Sequence, residues 1–143
     1  MSFREKSAWA CLVTTIIVFI PYFVWIFRLV GRTGLTAGSV ITAFFIASFW
    51  QVLLNPVTQI IIVTRYRREP RDERDVAIES KSFRHAYWVF ALLIWPVIML
   101  AALFPPSSPF LMPAFVGQMI FLCFVLAEVT KYLTQVVHYR RGS

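Results

Sequence analysis

The stretch that decides the fold is Arg65–Arg84, RYRREPRDERDVAIESKSFR. Twelve of its 20 residues are charged, against nine in the other 123. Long apolar segments flank it on each side. Such a charge density is unstable in hydrocarbon, and the flanks are too apolar to be solvated as exposed helices in water. The reading is a polar strap joining two hydrophobic hairpins.

Composition agrees. A hydrophobic fraction of 59% and a mean hydropathy of +0.70 exceed what a soluble core of 143 residues needs. Lipid-facing helices require that excess, because their outer faces must be apolar as well. The net charge of +7 would suggest nucleic acid in a soluble protein. Here no recognition motif accompanies the charge, and the cations gather at helix ends, so no direct nucleic-acid partner is expected. Cys11 and Cys123 lie inside apolar runs without metal-ligand spacing and read as small buried hydrophobes. No cleavage site follows the first apolar segment, which reads as a retained membrane helix.

Four spans follow, at about 7–30, 37–63, 86–104 and 114–137, with the strap at 64–85. The predicted fold is all-α, an integral membrane four-helix bundle forming one transmembrane domain over residues 1–143. Pro21, Pro56 and Pro96 fall within spans, where neighbouring helices can satisfy the freed carbonyls. The amino end, strap and carboxyl end hold eleven cations, while the opposite side has only Arg28 and Arg32. The positive-inside rule places the strap and both termini in the cytoplasm.

Within the second span Ser39, Ala43, Ala47, Gln51, Asn55 and Gln59 recur every fourth residue. Small residues permit close backbone approach and amides bond across helices, so this row faces protein. It drifts by about 40° per step, which implies that no single partner covers all of it. The second and fourth spans end alike, in Tyr66-Arg67-Arg68 and Tyr139-Arg140-Arg141, and at that offset Asn55 falls on Glu128. Chance and a tandem duplication with parallel halves both account for this echo.

Glu128 is the only acidic residue inside a span. A carboxylate in hydrocarbon is neutralised, paired, or turned toward a polar cavity. Lys131 lies at i+3, within reach, and Gln135 and His138 continue that face. One reading is structural, with Glu128 bonded to Lys131 and Asn55 as a further partner. The other makes Glu128 a proton or cation site in a small oligomeric transporter or channel, with Asn55, Lys131, Gln59 and Gln135 along the route.

In the strap, Pro70 ends the preceding helix, and Asp72, Glu73 and Asp75 suit the positive end of a new one starting near Arg71. That helix projects beyond the membrane. Its charges either pair among themselves, Arg71 with Asp75, or present Arg71, Asp72, Glu73, Arg74 and Asp75 as a docking surface. Anionic headgroups are a third partner, for the basic RYRR segment. No nucleophile set, phosphate loop, HExxH or metal-ligand cluster occurs, so no enzyme, metal or cofactor is expected.

Arg71-Asp72-Glu73-Arg74-Asp75 followed by Ile78-Glu79, with Ala86-Tyr87 opening a span and FREKSAW at Phe3–Trp9, resembles small bacterial four-helix membrane proteins carrying a DERDxxI element. That family is of unknown function, and some members are encoded beside helix-turn-helix regulators. The resemblance implies a non-enzymatic interaction or regulatory role, with a cytoplasmic regulatory protein as partner. Four short helices bury little surface alone, so a homo-oligomer in the lipid bilayer is expected.

Overall fold

The computed structural model describes residues 3–32, 36–65, 72–103 and 113–141. These form four helices, α1 (Phe3–Arg32), α2 (Ala37–Arg65), α3 (Glu73–Leu103) and α4 (Pro113–Arg141), with no strand among the described residues. All four are long and apolar enough to cross a membrane. The fold is the all-α four-helix membrane bundle, built from two hairpins.

The helix starts follow from their sequences. At α2, Thr36 accepts the Ser39 amide at 3.3 Å, and Ser39 Oγ donates to the Thr36 carbonyl at 2.9 Å. At α3, Asp72 Oδ1 accepts the Glu73 amide at 2.7 Å, while Asp75 Oδ2 reaches back to the Asp72 amide at 3.1 Å. This is the back-reaching half of a capping box, with aspartate in the third position; the Asp75 amide itself donates to the Asp72 backbone carbonyl at 3.1 Å. The fourth helix opens on Pro113, whose missing amide costs nothing there. His138, Arg140 and Arg141 occupy its last turn, against the negative end of its dipole.

Packing runs in the order α2–α1–α4–α3: α1 packs on α2 and α4, α3 packs on α4, and α2 and α3 share no face. Each packed pair is antiparallel. The first helix is therefore the centre, with 39% of its apolar window buried against 6% for α3. This order removes the parallel two-fold that a duplicated hairpin would form. Such an axis relates α1·α4 to α3·α2, and among the described residues only the first of these pairs packs along a face.

Away from the strap, Phe19, Tyr22, Phe23 and Ile26 of α1 pack with Val40 and Ala47 of α2 and Val125 of α4. Phe121 lies edge-on to Phe19, Tyr22 and Phe44, with centroids 5.4, 5.8 and 4.9 Å apart. Edge-to-face pairs at these distances add to area burial. Toward the strap the interior is polar instead, and that half holds the candidate site.

Candidate functional site

The polar half begins as a ladder between α1 and α2. Ser7 Oγ donates to Gln59 Oε1 at 2.7 Å, and Gln59 Nε2 donates to Cys11 Sγ at 2.9 Å. One turn further, Thr14 Oγ1 donates to Asn55 Oδ1 at 2.7 Å, and Gln51 Nε2 donates to Thr15 Oγ1 at 3.1 Å. In hydrocarbon an amide without such a partner is costly, so these rungs fix the register of the hairpin. The amide half of the predicted row, Gln51, Asn55 and Gln59, faces protein, and α1 answers it with Ser7, Cys11, Thr14 and Thr15. The small half, Ser39, Ala43 and Ala47, lines an apolar groove between α1 and α2. Cys11 is correspondingly more than a small hydrophobe, being a hydrogen-bond acceptor in the ladder. Both cysteines are free thiols.

On α4, Lys131 Nζ and Glu128 Oε2 pair at 2.5 Å. Lys131 is 9% exposed. Its ammonium also lies over the rings of Tyr132 and Phe83, 4.4 and 5.2 Å from the centroids. Two rings and a carboxylate thus replace its water. Asn55 is not a partner of this pair, being committed to Thr14 on the other face of α1. Gln59 is likewise bonded to α1, but Cys11, its acceptor, adjoins the Tyr132 hydroxyl, which also faces Glu128. Gln135 Nε2 donates to Ser82 Oγ at 3.1 Å, and Ser82 in turn donates to the Glu79 carbonyl at 2.7 Å. Those bonds join α4 to α3. His138 stays local, with Nδ1 2.8 Å from the Thr134 carbonyl.

The strap end is closed by ions. Arg4 Nε lies 2.6 Å from Asp75 Oδ2 without an aligned N–H···O bond, so the contact is ionic in character. It ties α1 to α3. Arg140 Nε reaches buried Glu5 at 3.4 Å and stacks over Trp9 at 5.3 Å, tying α4 to α1. Behind these contacts is a cavity of about 180 Å³, lined by Arg4, Ser7 and Cys11 of α1, Glu79 of α3, and Tyr132 and Tyr139 of α4.

The predicted docking residues divide. Arg71 lies outside the described residues, as do Tyr66, Arg67 and Arg68. Asp72 caps α3, and Asp75 serves both the capping box and Arg4. The expected Arg71–Asp75 pairing lies outside the described residues; among those described, Arg4 is an ion-pair partner of Asp75. Glu73 and Arg74 are exposed. Among the described residues no group of three or more His, Cys, Asp or Glu side chains could hold a metal ion.

Sequence reasoning missed Tyr132, Ser82, Thr14 and Thr15. The signal was present for α1: Ser7, Cys11, Thr14, Val18 and Tyr22 recur at helical spacing and mark one face. No such signal marks Ser82, which is fully buried only because Gln135 arrives from another helix. Comparison with family models, curated proteins and solved structures yields no match.

Proposed function

We propose that this chain is a non-enzymatic protein of the bacterial inner membrane, with both termini cytoplasmic, that docks a cytoplasmic regulatory protein through the first turns of α3. The observation that carries the reading is the construction of that stub. The helix begins at Glu73, well before the interfacial pair Tyr87 and Trp88. Its capping box and the Arg4–Asp75 tie hold it in place, while Glu73 and Arg74 stay exposed. A pinned helix presenting free charges loses little entropy on docking. The resemblance to DERDxxI proteins points the same way. A homo-oligomer belongs to this reading, supported by the apolar groove of about 670 Å³ between α1 and α2, where Ser39, Ala43 and Ala47 would admit a helix from a second copy.

The test is charge reversal of Glu73 and Arg74 alone, leaving Asp72 and Asp75 to maintain the helix start. A photocrosslinker at position 77 should lose its cytoplasmic adducts in E73K/R74E. An unchanged set of adducts rejects the docking site.

A second reading, transport through Glu128, is favoured by one observation: the strap-end cavity reaches Tyr132, whose hydroxyl faces Glu128. Glu128→Gln should then abolish proton or cation flux in liposomes. Flux equal to the wild type, or none in either protein, removes it.

A further inference from the structure

The outer face of α3 carries a pattern that neither docking nor transport uses. Lys81, Arg84, His85, Trp88, Leu92 and Trp95 are all exposed. At about 100° per residue they fall within roughly 60° of Lys81, forming one stripe. No ion pair or hydrogen bond among the described residues engages Lys81, Arg84 or His85. The nearby acids of the same helix face the other way: Asp75 goes to Arg4, and Glu79 lines the cavity. Asp75 and Glu79 thus turn inward while these cations turn outward, and the exposed Glu73 lies eight residues before Lys81, about 12 Å along the axis and away from the membrane.

Depth fits the pattern. From Leu103, about 20 residues cross the hydrocarbon and reach the level of Arg84. Trp88, one turn deeper, sits where an indole prefers to lie, at the interface. From Arg84 to Trp95 is about 16 Å along the axis, the thickness of one leaflet of a core about 30 Å thick. Trp88, Leu92 and Trp95 are 59%, 66% and 58% exposed, so an acyl chain can lie along them over that distance.

We infer that this stripe is a binding site for an anionic phospholipid, with its phosphate held by Lys81 and Arg84 and an acyl chain laid along Trp88, Leu92 and Trp95. Charge complementarity selects the headgroup, since the stripe has cations and no acid. Continuity with the apolar face selects a lipid over a soluble phosphate.

The test is native mass spectrometry of the full chain in micelles, with phosphatidylglycerol competing against chain-matched phosphatidylcholine. The wild type should prefer the anionic lipid, and K81Q/R84Q should lower that preference about thirtyfold, two cations at about 1 kcal/mol each. R65Q/R141Q removes the same charge from the same end, on α2 and α4, and should leave the preference intact. No preference in the wild type, retention in K81Q/R84Q, or an equal loss in R65Q/R141Q would each overturn the site. Displacement of bound lipid by equimolar glycerol phosphate would overturn the assignment to a lipid. Should K81Q/R84Q fail to fold, quenching of the wild type by acyl-brominated phosphatidylglycerol decides. It should exceed quenching by the brominated phosphatidylcholine, with the excess lost in W88F/W95F, and equal quenching rejects the proposal.

Discussion

Replacing Glu128 by glutamine leaves Lys131 as a lone cation in a site where it is 9% exposed. Opposite charges about 4 Å apart attract by about 4 kcal/mol at an effective dielectric of about 20, and this pair is closer. Part of that is retained. A glutamine carbonyl still accepts a hydrogen bond, and the rings of Tyr132 and Phe83 still face the ammonium for about 0.5–2 kcal/mol. The expected net loss is about 2–3 kcal/mol, toward the lower end for breaking a buried pair. Lys131→Met should cost less, about 1–2 kcal/mol, because the Glu128 side chain is 30% exposed and adjoins the Tyr132 hydroxyl. The double variant E128Q/K131M removes both charges and should fall about 2 kcal/mol short of the sum of the singles. The assay is reversible unfolding in mixed micelles by SDS titration, followed by far-UV circular dichroism. Strictly additive losses, or an E128Q loss below about 0.5 kcal/mol, would refute the reasoning, since the two groups would then not be holding each other.

Four further outcomes follow from the packing. Gln59→Leu deletes the three bonds that Gln59 makes to Ser7 and Cys11 and should destabilise the fold by about 1 kcal/mol in the same titration, and no change would dismiss the ladder as a determinant of register. Arg4→Gln should speed amide hydrogen exchange over residues 73–80 severalfold, most clearly at low salt, and unaltered exchange would show that the capping box alone holds the stub. Mass analysis in mild detergent, with detergent subtracted, should give more than one chain per particle, and a monomer would count against assembly. In a C11S/C123A background, Arg74→Cys should react with an impermeant maleimide only from the cytoplasmic side, and labelling solely from outside would invert the topology.

The α3 start was legible because its determinants are local. Asp72 and Asp75 sit at capping spacing after a proline, and a capping box needs nothing beyond its own four residues. The Glu128–Lys131 pair was legible for the same reason, since i+3 on a helix is a fixed distance. Asn55 was misplaced because a polar residue in hydrocarbon announces that it needs a partner without saying which helix supplies it. Two residues four apart in the row, Asn55 and Gln59, found theirs on α1, so the depth match with Glu128 carried no contact.

The amino-acid sequence by itself determined that there are four helices apolar enough to cross a membrane, where α2, α3 and α4 begin to within about two residues, and that Glu128 and the amides of α2 require company there. Hydrophobic length and helix periodicity are properties of a segment, and lipid imposes them on each segment separately. Only the tertiary structure decided the order α2–α1–α4–α3, and with it that Asp75 belongs to Arg4, Gln135 to Ser82 and Tyr22 to Gln118 across 96 residues. Within hydrocarbon one apolar face is as acceptable to a neighbour as another. The choice among helices therefore falls to the few polar groups, and their meeting depends on the whole bundle at once.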